Sequence, residues 1–232
     1  MTTTHEPYLK AAGSDRLAPY YDLMARLGMR ERHLKGRVIE LAQLVPGTRV
    51  LDLGCGTGTL VLMARRRCPE ATVIGLDGDP TILGIARRKA ERAGILVQLD
   101  EGLAYALPYA DGSFDAVVST LTFHHLTPDQ QERALAEVRR TLRPGGRLVI
   151  ADLTRPHNRL MRLVQRLHVQ LRCHGQHGVS SAGDPHHMTR LEDLLTTNGW
   201  RSIAATERSM SAMGTIALSA WTRRDETQSQ QR

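Results

Sequence analysis

The segment Val50-Leu-Asp-Leu-Gly-Cys-Gly-Thr-Gly58 constrains the fold of this chain most, because an apolar strand pattern passes directly into closely spaced glycines. Without a Cβ, the backbone at Gly54, Gly56 and Gly58 can come within contact distance of a ligand. The helix predicted from 59 to 67 has unpaired N–H groups at its start, which favour a carboxylate or a phosphate. The G-x-G-x-G spacing differs from the G-x-G-x-x-G of dinucleotide sites. The segment therefore predicts a ligand site at the carboxyl edge of a parallel sheet.

Strand and helix patterns alternate along most of the chain. Apolar residues at helical spacing cover 17–44, with a break near Gly28. Strands are predicted at 49–53, 71–76, 95–99, 114–119, 147–151, 202–206 and 215–220, and further helices at 80–93, 128–142, 158–172 and 190–198. Alternation of this kind is typical of βαβ units and a mostly parallel sheet.

A second acidic residue, Asp77, ends the strand that follows the glycine segment. It stands in Gly75-Leu-Asp-Gly-Asp79. A carboxylate at the end of this strand can accept hydrogen bonds from both hydroxyls of a ribose. Together, the glycine segment and Asp77 indicate a nucleoside-containing ligand.

These segments, taken in order, resemble the class I S-adenosylmethionine-dependent methyltransferases. They are most similar to the branch that contains the ubiquinone/menaquinone C-methyltransferases and many small-molecule methyltransferases. The likeness covers about residues 17–153, and its matching pieces are Tyr20-Tyr-Asp22, Val50 to Gly58, Gly75 to Asp79, Leu107 to Asp115, His124-His-Leu126 and Leu142 to Leu148.

The resemblance implies a fold and an activity. The fold is α/β, with a seven-stranded, mostly parallel Rossmann-like sheet, helices on both faces and an antiparallel last strand. The cofactor is S-adenosyl-L-methionine, and the product is S-adenosyl-L-homocysteine. The acceptor is a small apolar or aromatic molecule, methylated on oxygen, carbon or nitrogen. Two alternatives stay open: a lipid or quinone methyltransferase at the membrane surface, and a catalytically silent S-adenosylmethionine-binding partner protein.

The resemblance also implies cofactor-binding residues. Those implied for the methionine part are Asp52, Gly54, Cys55, Gly56 and Gly58. Those implied for the ribose and adenine are Asp77 and Gly78, and for the sulfonium end Ser119 and Thr120, with Tyr21 lying over the cofactor.

One position departs from the family pattern. Relatives carry an aspartate shortly before the Leu-Pro pair, where it hydrogen-bonds the adenine amino group, and Leu103 stands there in this chain. We expect either a weaker affinity for the cofactor or that the backbone of Leu103 and Ala104 serves instead. A hydrogen bond lost at this point costs about 1 kcal/mol.

Two histidines follow the fourth predicted strand. Methyl transfer to a hydroxyl or an acidic carbon requires that a proton be removed, and histidine is the usual base near neutral pH. His124 and His125 stand close to where the family places the substrate. We therefore predict that one of them is a general base or orients the substrate.

The domain organisation follows from these patterns. We expect an N-terminal helical cap (1–45), a cofactor-binding core (46–153), an insertion over the substrate pocket (154–189), a C-terminal helix with strands of the core (190–222) and a disordered tail (223–232). The sequence does not indicate an oligomeric state.

Composition limits the classes of binding partner and the cellular compartment that the sequence predicts. The formal charge of +7 suits several anionic partners, but 4% aromatic residues and the lack of an Asn/Asp-Pro-Pro-aromatic motif argue against nucleic acid. Membrane contact by the basic helix at 158–172 is possible but not favoured. An odd number of cysteines and no signal-peptide pattern predict a cytoplasmic protein.

Five potential metal ligands match no standard zinc module, so no metal is predicted: Cys173, His174, His177, His186 and His187.

Overall fold

The structure is a computed structural model that describes residues 31–154, 190–211 and 214–223. Its helices are α1 (Glu31–Ala42), α2 (Thr59–Arg67), α3 (Pro80–Arg92), α4 (Pro128–Thr141) and α5 (Arg190–Thr197). Its strands are β1 (Arg49–Leu53), β2 (Thr72–Asp77), β3 (Gln98–Glu101), β4 (Phe114–Thr120), β5 (Leu142–Thr154), β6 (Trp200–Ser202), β7 (Glu207–Ser211) and β8 (Gly214–Arg223). A short 3₁₀ turn at Phe123–His125 follows β4.

The strands form one twisted α/β sheet in the order β3-β2-β1-β4-β5-β8-β6, with β7 also paired to β8. Strands β3, β2, β1, β4 and β5 are parallel, and β8 is antiparallel to β5. The strand order reverses between β1 and β4, so the carboxyl ends of these two strands meet at a switch point. This arrangement confirms the predicted Rossmann-like fold.

Seven strands are predicted, and the described residues form eight. Seven of these strands follow one another across the sheet, and the eighth, β7, is also paired to β8. The extra strand arises because β6 and β7 pair with successive parts of β8, at 221–223 and 214–218. The two short strands thus share the edge position, and the single strand predicted at 202–206 is wrong. Those residues mostly form the connection between β6 and β7.

The third strand begins later than the predicted 95–99. The amide of Gly94 donates to the Glu91 carbonyl and that of Ile95 to the Ala90 carbonyl, which is a Schellman motif at the end of α3. Gly94 takes the left-handed conformation (φ 63°) that this motif requires. Ile95 therefore belongs to the helix cap, and pairing with β2 starts only at Gln98.

Strand β5 begins at Leu142, earlier than the predicted 147–151, so Pro144, Gly145 and Gly146 lie within it. Phe114 of β4 pairs with Leu142, while Ala116 pairs with Arg147, so the intervening residues form an irregularity in the strand. Gly145 allows it because its φ is 75°.

Two apolar clusters lie on opposite faces of the sheet. Alternate residues of β4 enter different clusters: Val118 packs with residues of α1, α2 and α3, and Val117 packs with residues of α4 and α5. The central strands are buried on both faces, which explains their almost continuous apolar sequence. Helices on both faces were predicted, and the clusters confirm them.

Two helix starts, those of α3 and α4, are defined by side-chain caps. The Asp79 carboxylate accepts hydrogen bonds from the amides of Thr81 and Ile82, and Pro80 fills the first turn of α3. Thr127 and Gln130 form a capping box at the start of α4. Across the three described stretches, no helix is both long and apolar enough to cross a bilayer.

We predict that Leu51→Ala lowers the free energy of unfolding by about 2–5 kcal/mol. Leu51 has no exposed surface, and its truncation leaves a cavity in the cluster under α4. Leu96→Ala is the matched control, because this side chain is 91% exposed and its loss costs less than about 0.5 kcal/mol. Urea denaturation of both variants at one pH measures the difference. Similar losses in the two variants would contradict the position of β1 at the centre of the sheet.

Candidate active site

The backbone turns sharply where β1 ends. Gly54, Gly56 and Gly58 all have positive φ values, of 73°, 54° and 72°. The amides of Gly54 and Cys55 both donate to the carbonyl of Leu76, at 2.8 and 3.0 Å. The turn therefore bends the chain from β1 towards the end of β2.

The three glycines serve different purposes. A Cβ at Gly54 would lie 2.2 Å from Oγ1 of Thr122, and one at Gly58 would lie 3.1 Å from the Cβ of Ala86. A Cβ at Gly56 would meet no described atom within 4 Å, so open space lies beside the loop there. Gly54 and Gly58 are required by packing, and Gly56 adjoins a space that a ligand could occupy.

Asp77 lies opposite this turn and is buried. Its carboxylate accepts hydrogen bonds from the amide of Gly56 at 2.8 Å and from that of Asp79 at 3.0 Å. Backbone donors stabilise the ionised carboxylate. A carboxylate has about four lone-pair sites, so it can also accept hydrogen bonds from ligand hydroxyls.

Asp52 is the penultimate residue of β1 and is only 1% exposed. Neither of its carboxylate oxygens has a hydrogen-bond partner among the described residues. Burial raises the pKa of Asp52 to about 7; the positive charge of Lys35 acts in the opposite direction, and the negative charge of Asp77 adds to the increase. A buried acceptor of this kind is suited to a cationic ligand group.

Cys55 occupies the middle of the glycine turn and is buried. Burial raises the pKa of its thiol, and the nearby carboxylates of Asp52 and Asp77 act in the same direction. Cys55 is therefore a protonated packing residue and not a nucleophile.

The predicted adenine side lies beyond β3. The amide of Gly102 donates to the carbonyl of Asp77 at 3.0 Å, which keeps the following residues beside Asp77 and Gly78. Leu103 is partly buried and forms an isolated bridge with Ala106. Leu103 and Ala104 therefore lie in the segment next to Asp77.

The segment after Leu103 is attached to α4. Glu137 accepts a hydrogen bond from the amide of Leu107 at 2.7 Å, and Arg140 donates to the carbonyls of Leu107 and Tyr109. Arg140 also pairs with Glu137 and Asp111. This group fixes the loop that follows Leu103 against α4.

The end of β4 is joined to β1 by hydroxyl groups. Ser119 donates to the carbonyl of Leu53 at 3.0 Å, and Thr122 donates to the same carbonyl at 3.2 Å. Ser119 is fully buried, whereas Thr120 is partly exposed at the strand end. Leu121 follows with a φ of 58°, and its amide donates to the Ala151 carbonyl. The left-handed residue turns the chain across the end of β5.

This turn brings His124 to Asp152 at the carboxyl end of β5. Nδ1 of His124 lies 2.6 Å from Oδ1 of Asp152, and the amides of Phe123 and Leu153 also donate to this carboxylate. Burial opposes ionisation of Asp152, but the charge and hydrogen bond of His124 and the Leu153 amide outweigh it, so its pKa lies below the ordinary value. An ionised Asp152 only accepts, so Nδ1 carries the hydrogen and Nε2 is the basic nitrogen.

His125 lies beside His124, and its charge also lowers the pKa of Asp152, to a smaller extent than that of His124. The two imidazole rings are 4.0 Å apart between centroids and tilted by 39°. The side chain of His124 is 10% exposed, and that of Asp152 is 4% exposed. Of the two histidines predicted for catalysis, the structure thus orients His124 through a buried carboxylate.

The structure brings the predicted residues of the core to one edge of the sheet. Tyr21 and the candidate metal ligands Cys173, His174, His177, His186 and His187 lie outside the described residues. Sequence reasoning missed Asp152 and Thr122. Asp152 has the same signal as Asp52 and Asp77, an aspartate near the carboxyl end of a buried strand, whereas nothing in the sequence marks Thr122.

Comparisons with known proteins agree with this geometry. Residues 50–146 match the family described as Methyltransferase domain. A demethylmenaquinone methyltransferase of Thermus thermophilus is 43% identical over 156 residues, which cover 66% of this chain and 70% of the relative. A demethylmenaquinone methyltransferase of Deinococcus radiodurans is 37% identical over 157 residues, covering 66% and 64%. The chain thus spans about two thirds of the length of these relatives.

Solved structures agree on the fold. A geranyl diphosphate methyltransferase, solved with geranyl diphosphate and sinefungin, superposes with a TM-score of 0.65 at 18% identity, covering 84% of this chain and 79% of that one. Likeness at this identity concerns the fold alone. The fold, the glycine turn and the relatives together assign the chain to the class I S-adenosylmethionine-dependent methyltransferases, in the branch similar to the demethylmenaquinone methyltransferases.

Proposed function

We propose that this chain transfers a methyl group from S-adenosylmethionine to a small aromatic acceptor of the quinol type. The observation that carries the proposal is the pair His124–Asp152, oriented beside the glycine turn. It supports base catalysis at the point where a class I methyltransferase brings cofactor and acceptor together.

The described residues fit the cofactor. Asp52 offers a buried carboxylate that has no hydrogen-bond partner among them, suited to the ammonium of the methionine part. Asp77 offers a carboxylate fixed by backbone amides, suited to the ribose hydroxyls. Gly56 borders open space, and Leu103 and Ala104 offer backbone groups to the adenine.

When bound, S-adenosylmethionine supplies an electrophilic methyl group on its sulfonium and leaves as S-adenosylhomocysteine. The chain's own task is to hold the acceptor and to remove a proton from it. Nε2 of His124 can take the hydroxyl proton of a quinol, which raises the electron density of the neighbouring ring carbon. After this carbon has accepted the methyl group, its own hydrogen is transferred as a proton to the quinol oxygen, which restores the aromatic ring. Asp152 holds the imidazole in the required tautomer and stabilises the imidazolium that forms.

The acceptor class is supported by the relatives, which are named demethylmenaquinone methyltransferases. Removing a hydroxyl proton activates a quinol for methylation on carbon, and the oriented histidine suits this chemistry. A quinone acceptor is shared with the membrane-surface alternative, but nothing among the described residues favours action at a membrane surface or a silent partner protein.

We predict that Asp77→Ala weakens binding of S-adenosylmethionine and S-adenosylhomocysteine by about 10- to 100-fold, because hydrogen bonds to a charged group are lost. Isothermal titration calorimetry measures the affinities. Asp129→Asn is the matched control, since Asp129 is an exposed aspartate on α4. Circular dichroism verifies that Asp77→Ala retains its fold, and Asp77→Asn tests the loss of charge with less change of shape. Equal affinity in Asp77→Ala and the wild type would refute the ribose assignment.

A second prediction concerns pH and Asp52. Burial raises the pKa of Asp52 to about 7, so the empty site holds a proton below that pH and cannot pair with the ammonium. Affinity for S-adenosylmethionine should therefore fall as the pH drops below 7, by up to about tenfold per pH unit, and level off above it. Calorimetry from pH 5 to 8 measures this. Asp52→Asn should bind more weakly at pH 8 and lose this dependence; a variant that keeps the wild-type slope would exclude Asp52 as its source.

A third prediction separates the two histidines. His124→Ala should lower kcat with a short-chain demethylmenaquinol by about 100- to 10,000-fold, while the affinity for S-adenosylmethionine stays constant. His125→Ala should lower kcat much less, because it leaves the hydrogen bond between Nδ1 of His124 and Asp152 in place. Asp129→Asn serves again as the control. If His125→Ala caused the larger loss, the base would have to be reassigned to His125.

Asp152→Asn extends this test to the positioning residue. The amide cannot hold the imidazole in the same tautomer, so kcat should fall while the cofactor affinity remains that of the wild type. A parallel loss of cofactor affinity would instead indicate that the end of β5 had been displaced.

A further inference from the structure

Gln131 is a buried residue near the start of α4, next to the 3₁₀ turn that carries His124. Its backbone amide donates to the carbonyl of Thr127 at 2.8 Å, in the first turn of the helix. The residue is only 4% exposed, and its side-chain Nε2 donates to the carbonyl of Phe123 at 2.9 Å and to that of Leu126 at 3.4 Å. One side chain thus holds both ends of the 3₁₀ turn.

The peptide unit between Phe123 and His124 is held from both sides. Its carbonyl accepts a hydrogen bond from Gln131, and its N–H, the amide of His124, donates to Oδ2 of Asp152 at 3.3 Å. A trans peptide is planar, and its C=O and N–H groups point in opposite directions. Partners on both sides therefore fix the plane, and with it the direction in which the side chain of His124 leaves the backbone.

The contact between His124 and Asp152 depends on this direction, because Nδ1 must lie 2.6 Å from Oδ1 of the carboxylate. Asp152 belongs to β5 and Gln131 belongs to α4, so the turn is fixed between a strand and a helix. Without the contact to the helix, the peptide plane could rotate about its contact with Asp152. The imidazole would then lose its alignment with the carboxylate.

The amide of Gln131 is not the side chain that packing alone would favour. Its Oε1 is buried and has no hydrogen-bond partner in the described part of the chain. An acceptor of this kind opposes folding, and an apolar side chain of similar length would avoid that penalty. The buried residues that follow on the same face of α4 are apolar: Ala134, Leu135 and Val138. What the amide adds at this position is a donor to the 3₁₀ turn.

We propose that Gln131 is a positioning residue for the base: by holding the carbonyl of Phe123, it keeps the imidazole of His124 aligned with Asp152. The inference rests on the proposed function and extends it to a residue that acts through another. Loss of the donor should slow the removal of the acceptor's proton, whereas binding of the cofactor and the acceptor should be retained.

The test compares Gln131→Met and Gln131→Leu with Thr141→Val. Both apolar side chains remove the donor, and methionine also keeps the length of the glutamine. Thr141→Val is the matched control, because it removes a buried hydrogen bond at the other end of the same helix, from the Thr141 hydroxyl to the carbonyl of Glu137.

We expect both Gln131 variants to lower kcat with a short-chain demethylmenaquinol by about 5- to 50-fold. KM and the affinity for S-adenosylhomocysteine, measured by calorimetry, should change by less than about twofold, because the residue acts on the base alone. Thr141→Val should leave all three quantities unchanged. Thermal denaturation verifies that every variant is folded.

A double-mutant cycle separates positioning from general destabilisation. In the His124→Ala background, Gln131→Met should cause no further loss of kcat, because it acts through this imidazole. Nitrogen NMR of labelled imidazoles, assigned by comparison with His124→Ala, gives a second readout. The wild type should show His124 with its hydrogen on Nδ1, and Gln131→Met should show an increased share of the tautomer with the hydrogen on Nε2.

Four results would overturn the inference: an unchanged kcat in both Gln131 variants, an equal loss in Thr141→Val, a further loss in the His124→Ala background, or an unchanged tautomer. The proposed function fails in a different way, because the wild type would then bind no S-adenosylhomocysteine or transfer no methyl group to the quinol. The tautomer of His124 in Gln131→Met would still show whether Gln131 positions the imidazole.

Discussion

The left-handed turn at Gly54, directly after β1, is the constraint on which the rest of the site depends. It lets two successive amides reach the carbonyl of Leu76 and brings the amide of Gly56 to the carboxylate of Asp77. It also leaves room for Thr122, whose side chain occupies the space that a Cβ at Gly54 would need. One conformation that glycine adopts at little cost thus joins the ends of β1, β2 and β4.

Three buried aspartates at the same edge of the sheet acquire different properties from their partners. Asp77 is surrounded by backbone donors, and Asp152 combines amides with an imidazole. Asp52 has neither among the described residues, so desolvation dominates. One type of side chain, the aspartate carboxylate, can therefore serve as a hydrogen-bond acceptor for hydroxyls, as an orienting group for a base or as a counter-ion for a cation, depending on its surroundings.

Patterns among neighbouring residues predicted those parts of the fold and the site that depend on interactions between residues close in sequence. The strand Arg49–Leu53, the glycine turn and the helix from Thr59 follow from apolar pattern and glycine spacing. The start of β3 did not, because an apolar Ile95 reads as strand until the Schellman bonds to Ala90 are seen. Asp152 was also missed, because its contact with His124 depends on the register of β4 against β5 and on the left-handed Leu121. Such contacts between distant segments have no signature in a single sequence.

The carboxylate of Asp152 holds both the imidazole of His124 and the backbone amide of Phe123. The orientation of the His124 imidazole and the shape of the 3₁₀ turn therefore have a common origin, and neither can be altered alone. Because the pKa of Asp152 is lowered and that of Asp52 is raised, acidification reaches the two groups at well-separated pH values. Mild acid therefore leaves the carboxylate that holds His124 ionised, whereas it protonates Asp52. The residues around Asp52 could then be changed to increase acid tolerance without disturbing the 3₁₀ turn that carries His124.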